Sequence, residues 1–181
     1  MELTDAELRI FLNDRRILNS ILEKIEVPPN LHDSVLVIMD KRDKVSPESF
    51  SEMLVESGMN SSQVEQLKEH LAIPELESLS KLLPDCEGIT ALQELSELVK
   101  ISGFNSYIQF DVSIVRGLSY YTGPVFEMNH PQKSHRAICG GGRYDSLLST
   151  YGGETIPAVG FGFGDGSLFS SCFGLCATRL L

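Results

Sequence analysis

Residues 110–128, FDVSIVRGLSYYTGPVFEM, and the glycine-rich run at 138–153, ICGGGRYDSLLSTYGG, decide how the rest of the chain is read. Phe110, Val112 and Ile114 on one side, and Val125 and Phe126 on the other, have the β-branched and aromatic bias of strands. Gly117 and Thr122-Gly123-Pro124 are breakers, so the spacing predicts two strands joined by a tight turn, a hairpin over 107–128. Inside this apolar frame sit Arg116, Tyr120 and Tyr121. An arginine after a buried-looking strand is costly unless an anion meets it, and two tyrosines beside it add flat walls and hydroxyls. A pocket for a small zwitterion or a phosphate fits that cluster. So does a hairpin whose arginine pairs with an internal carboxylate and whose tyrosines are half-buried packing. The chemistry alone leaves both open.

RGLSYYTGPVFE followed by CGGGRYD resembles the histidine-specific signature motifs of histidyl-tRNA synthetase, a class II aminoacyl-tRNA synthetase. The family usually writes them RGLDYYTG and GGGRYD, so Ser119 stands here in place of Asp. That variant, joined to the GFGFGD segment at 160–165, looks most like the plant chloroplast and mitochondrial type, although the acidic N-terminus, MELTDAELRIF, is no transit peptide. The resemblance implies an α+β fold: part of the class II antiparallel sheet carrying an inserted helical subdomain. It also implies a reaction, histidine plus ATP to histidyl-adenylate and pyrophosphate, then transfer of the histidyl group to tRNA-His. By the same resemblance, Arg116 is the catalytic group, holding the histidine carboxylate against the α-phosphate of ATP. Tyr120, Tyr121 and Tyr144 line the imidazole pocket, Gly140, Gly141 and Gly142 form its floor, and Arg143 and Asp145 are either an internal pair or ligands. Gly160, Gly162 and Gly164 resemble the start of class motif 3, a strand bare enough for ATP to lie against. Mg²⁺ accompanies the ATP, with no metal ligand identified in this chain.

Composition sets the outer limits. The chain has 181 residues, 42% hydrophobic and 22% charged, enough for one well-packed domain or somewhat more. Its net charge of −10 argues against a broad nucleic-acid surface, which needs clustered Lys and Arg. Contacts to tRNA are therefore expected in a local patch or outside this chain. Cys86, Cys139, Cys172 and Cys176 form no paired CxxC sets, so reduced thiols are expected rather than structural zinc. His130 and His135, five apart in a polar loop, make a poor ligand pair. No apolar run reaches the roughly 18–20 residues that a membrane span requires.

Taken in order, residues 1–44 read as a catalytic-domain segment. ELRIFL (7–12) predicts a strand, Asn13 and Asp14 a helix cap, and Ile17, Leu18, Ile21, Leu22 and Ile25 an apolar helical stripe that Pro28-Pro29 ends. The run SVLVIMDKRDK (34–44) fits a strand or a buried helix turn, and its charged tail a solvated surface. Residues 45–104 predict the helical insertion. Ser46-Pro47-Glu48 and Ser61-Ser62 start helices, Pro74 and Pro84 separate shorter ones, and Thr90 caps a last helix with Leu92, Leu95, Leu98 and Val99 facing inward. In the family such an insertion leans over the tRNA acceptor stem; Lys68 and Lys81 are outnumbered here by acids. Residues 105–165 hold the signature motifs, with a strand at Ala137-Ile138-Cys139.

Residues 166–181 change composition abruptly: Ser167 stands where the family's ATP-contacting arginine usually does, and the pattern suggests an altered reading frame or splice. The resemblance thus covers only the middle of a synthetase, without class motif 1 (which builds the family's homodimer), motif 2 or an anticodon-binding domain. Two readings follow for the polypeptide, a partial catalytic domain of a histidine–tRNA ligase or a histidine- or tRNA-sensing regulatory module of the same fold. An exposed sheet edge is expected as well.

Overall fold

A computed structural model describes residues 4–116, 120–131 and 137–164. The first strand, β1 (Arg9–Asp14), ends on two polar residues that are completely buried, Asn13 and Asp14. Such groups need hydrogen-bond partners inside the protein, and the two differ: the Asp14 carboxylate is engaged at both oxygens, whereas Asn13 is bonded through Nδ2 and its Oδ1 has no partner among the described residues. Asp14 Oδ1 accepts the Arg16 backbone N–H at 2.9 Å and caps helix α1 (Arg15–Lys24). The same carboxylate takes the Arg16 guanidinium at 2.8 and 3.0 Å. Asn13 does not cap. Its Nδ2 donates to the carbonyls of Val112 (2.8 Å) and Ile114 (2.9 Å), tying a distant segment across the end of β1.

The stripe on α1 buries Ile17, Leu18, Ile21 and Leu22 almost completely, each worth about 1.5–3 kcal/mol of transfer free energy. The apolar run at 34–44 resolves as helix. Pro29 does not end α1, which stops at Lys24, but opens helix α2 (Pro29–Met39) from its first turn, where a missing N–H costs nothing. Helices α3 (Pro47–Glu56) and α4 (Ser61–Leu71) start where serine and asparagine cap them: Ser46 Oγ accepts Ser49 N–H at 3.2 Å, and Asn60 forms a reciprocal capping box with Gln63 at 2.9 and 3.0 Å. Helices α5 (Leu76–Leu82) and α6 (Glu87–Ile101) complete the set, and one apolar core joins all six with Val112 and Val115.

Two expectations about α6 are corrected. It begins at Glu87, not at Thr90, because Gly88 lies directly against Asp14 and Ile17 and draws the first turn onto the core. Leu98 does not face inward but is 62% exposed: full burial on this 15-residue helix ends at Leu92, and Leu95 packs half-buried against the core.

The sheet corrects the hairpin. Strand β2 (Ile108–Phe110) and strand β3 (Pro124–Asn129) are not paired with each other; β1 lies between them, parallel to β2 and antiparallel to β3. The chain stops being a strand at Asp111, whose Oδ1 accepts Ser113 N–H (2.9 Å) and Oγ–H (2.6 Å), a local turn that competes with ladder bonding. Val112 and Ile114 therefore pack as loop residues. A parallel pair needs a long crossover, and all six helices lie within it. Strands β4 (Cys139–Tyr144) and β5 (Ala158–Phe163), with the short helix α7 (Leu147–Thr150) between, extend the sheet antiparallel to give the order β2-β1-β3-β4-β5. The sheet is thus mixed, with one parallel pair, and the fold class is α+β. No helix among the described residues is long and apolar enough to cross a membrane.

Candidate functional site

Side chains alternate across a strand, and the register brings four glycines to one face of the sheet. Gly140 pairs with Gly162 and Gly142 with Gly160, leaving β4 and β5 bare on that side. Three groups lie over this floor. A Cβ on Gly140 would fall 2.6 Å from Arg116 Nη1, one on Gly142 2.9 Å from Tyr121 Cδ1, and one on Gly160 2.7 Å from the Tyr144 hydroxyl. The glycines are the room these side chains occupy. A Cβ on Gly162 would meet no described atom within 4 Å, so the floor continues openly along β5. Gly141 does not belong to this face. Its Cβ would collide with Gly160 O and Phe161, because alternation turns it to the other side. Gly164 closes the strand end, donating to Ile138 O at 2.9 Å.

The rings of Tyr120, Tyr121 and Tyr144 form one cluster. Tyr120 stands 4.7 Å from Tyr121 and edge-on to Tyr144 at 5.4 Å, with Tyr121 and Tyr144 6.3 Å apart. They pack with Phe11, Ile114 and Val125 in a small core separate from the helical one. Tyr121 is the buried member; burial, reinforced by Tyr120, pushes its hydroxyl pKa up against the opposing pull of Arg116. It therefore stays protonated, a hydrogen-bond donor, at neutral pH.

Arg116 stands at the rim of these rings, half-buried, its Nη1 donating to Glu127 Oε1 at 2.8 Å. Burial disfavours its charge, but the hydrogen bond and charge of Glu127 outweigh that and raise its pKa further. The internal carboxylate is thus real, and it coexists with an aromatic wall and a glycine floor. A planar guanidinium has five donors, and a single carboxylate engages two at most.

The two signature motifs, some twenty residues apart in sequence, are stitched together here. Thr122 N–H donates to Arg143 O at 2.9 Å, and Asp145 N–H to Thr122 Oγ1 at 3.0 Å. Arg143 and Asp145 form an internal pair, Nε to Oδ1 at 2.9 Å. Sequence reasoning missed Glu127 and Asn129. The signal was available: on β3 Glu127 alternates with Phe126 and Met128 and shares Val125's inward face, where a carboxylate needs a cation.

Among the described residues no three His, Cys, Asp or Glu side chains converge on a point where a metal ion could sit. His130 lies among the described residues; His135, Gly117, Ser119, Ser167, Cys172, Cys176 and the tail at 166–181 lie outside them.

The family model for histidyl-tRNA synthetase matches residues 2–164. The chain belongs to that family. It is 42% identical over 164 residues to a chloroplastic/mitochondrial histidine–tRNA ligase of Arabidopsis thaliana, covering 90% of this chain and 34% of that protein. A histidine–tRNA ligase of Pyrococcus horikoshii is 34% identical over 167 residues, covering 87% of this chain and 38% of that protein. Among solved structures, histidyl-tRNA synthetase from Nostoc sp. PCC 7120 superposes with a TM-score of 0.81 at 27% identity, over 98% of this chain and 44% of that one. The chain therefore spans between a third and a half of the length of these relatives.

Proposed function

We propose that this chain is the central part of the catalytic domain of a histidine–tRNA ligase, and that the glycine-floored face is where histidine and ATP meet. The observation that carries the reading is the seat of Arg116: a guanidinium over Gly140, at the rim of three tyrosine rings, beside an open glycine strand. A ring-bearing zwitterion fits that arrangement. Its imidazole lies against Tyr120 and Tyr121, whose hydroxyls read a ring nitrogen, with Tyr144 closing the pocket, and a ligand lacking that nitrogen leaves buried polar groups unpaired. Its carboxylate meets Arg116, which turns it toward the α-phosphate of ATP laid along β5 at Gly162, beside the Tyr144 hydroxyl that stands over Gly160.

Joining these two anions is chiefly a matter of positioning and charge neutralisation. A planar fork serves both, so lysine is a poor substitute. Mg²⁺ arrives with the ATP. Transfer to tRNA-His completes the reaction, and the organellar compartment is proposed on the likeness to the Arabidopsis protein.

The test is histidine-dependent ATP–pyrophosphate exchange by the protein carrying this chain at its natural length. Arg116→Ala is expected to abolish exchange and Arg116→Lys to leave about 1% or less. Exchange at the unmodified rate in Arg116→Ala rejects the proposal.

A further inference from the structure

Arg116 lies outside any regular element, yet one of its nitrogens is held on a central strand of the sheet. We propose that Glu127, with Asn129 behind it, is the positioning residue that sets the direction in which Arg116 presents its remaining donors. This rests on the histidine reading of the site.

Three observations carry it. The first is rigidity: Glu127 sits in the middle of β3, paired with Phe11 on one side and Gly140 on the other, so its backbone is fixed by two ladders. The second is that both carboxylate oxygens are engaged. Oε1 takes Arg116 Nη1 at 2.8 Å, and Oε2 accepts from Asn129 Nδ2 at 3.3 Å. Asn129 is itself only 4% exposed and stands on the same face two residues along. The carboxylate plane is therefore held at both ends. The third is the bare backbone of Gly140, Glu127's cross-strand partner, over which the guanidinium lies. Because the guanidinium is planar, fixing one N–H direction and one face fixes where the other donors point.

With only about a quarter of each side chain exposed, this pair is shielded from the screening that makes most surface pairs weak. A competing effect must be weighed. Glu127 is an anion close to where a substrate carboxylate docks, so it could repel what Arg116 attracts. A fixed fork and a repelling charge predict opposite signs, which makes the question decidable.

The experiment compares histidine with histidinol, which keeps the imidazole and the amine but carries an alcohol in place of the carboxylate. Affinities are read by calorimetry on the protein carrying this chain at its natural length. The unmodified protein is expected to prefer histidine; no preference rejects the carboxylate role of Arg116, and with it the reading beneath this one. Given that preference, Glu127→Ala is expected to weaken histidine about tenfold or more while leaving histidinol within about twofold. Glu127→Gln, which keeps an acceptor, is expected to recover most of the loss. An unchanged or increased preference in Glu127→Ala overturns the positioning role and leaves the Arg116 reading standing. A merely structural role weakens both ligands together, and that outcome also overturns it. Should Glu127→Ala fail to fold, Glu127→Asp keeps the charge but draws the carboxylate back by one methylene. A selective, severalfold loss for histidine is then expected, and an unchanged ratio overturns the proposal.

Discussion

Gly140 and Gly141 are neighbours with the same chemistry, yet a methyl group at each would meet different obstacles. At Gly140 it meets the end of the Arg116 side chain, which can move, although Phe126 O stands 3.0 Å away. At Gly141 it meets the backbone of β5 at Gly160 O and Phe161, and only a shift of the strand relieves that. Gly140→Ala is therefore expected to lower histidine affinity at least tenfold for a stability cost near 1 kcal/mol, whereas Gly141→Ala costs about 3 kcal/mol or more. Histidine titration and urea unfolding separate the two; equal stability losses contradict the argument.

The acid–base groups of the site make a second residue-scale prediction. Burial raises the Cys139 thiol above its ordinary 9.0, with Arg116 pulling the other way, and burial raises the Tyr121 hydroxyl above 10.0. In each case the unfolded chain releases its proton first, so the contribution to stability is complete below the ordinary value and is lost as pH rises through the folded one. Unfolding free energy should start to fall above about pH 9 through Cys139 and above about pH 10 through Tyr121. Cys139→Ala should flatten the first decline and Tyr121→Phe the second, measured by urea unfolding at stepped pH. Unaltered slopes in both variants refute it.

At the scale of elements, the contact between α6 and the end of β1 sets how the helices sit on the sheet. An alanine at Gly88 gains about 1 kcal/mol in helix propensity, but its Cβ would stand 2.9 Å from Asp14 Oδ1 and 3.0 Å from Ile17 Cγ1. Asp14 is fully buried and holds both the α1 cap and Arg16, so it has nowhere to retreat. Losing the cap costs about 1 kcal/mol and overpacking about 1–3 kcal/mol. Overpacking and cap loss win. Gly88→Ala should destabilise the protein by about 1–3 kcal/mol, and a rise in melting temperature contradicts this. The helix starts at Ser46, Ser61 and Asp14 were legible because the chemistry of a helix start is local, although the cap of α4 proved to be Asn60, one residue earlier. The start of α6 was not, since Gly88 against Asp14 is a contact across more than seventy residues.

Over the whole molecule, β5 ends the sheet among the described residues and carries two different faces. One is glycine. The other presents Val159, Phe161 and Phe163 at 70%, 62% and 59% exposure, with Phe161 and Phe163 in edge-to-face contact. Alternating exposed aromatics on an edge strand favour strand-to-strand association. Light scattering of the 181-residue chain should rise with concentration, and Phe161→Lys should suppress that rise. Equal scattering by both proteins counts against the edge as its cause.

From the residues alone came the family, the starts of α1, α3 and α4, and the residue types of the site. These rest on motifs and on chemistry confined to a few neighbouring positions, such as caps, breakers and an arginine beside tyrosines. That the two flanks of the first motif are not a hairpin was settled by long-range pairing, because β1 comes from far away in the chain and inserts between them. Pairing alone decided which glycines floor the site, since strand register sends Gly140 and Gly142 to one face and Gly141 to the other. It also gave Arg116 its partner. Glu127 follows it by only eleven residues, but which carboxylate meets a cation depends on where the backbone places both, and that is fixed by pairing across the sheet.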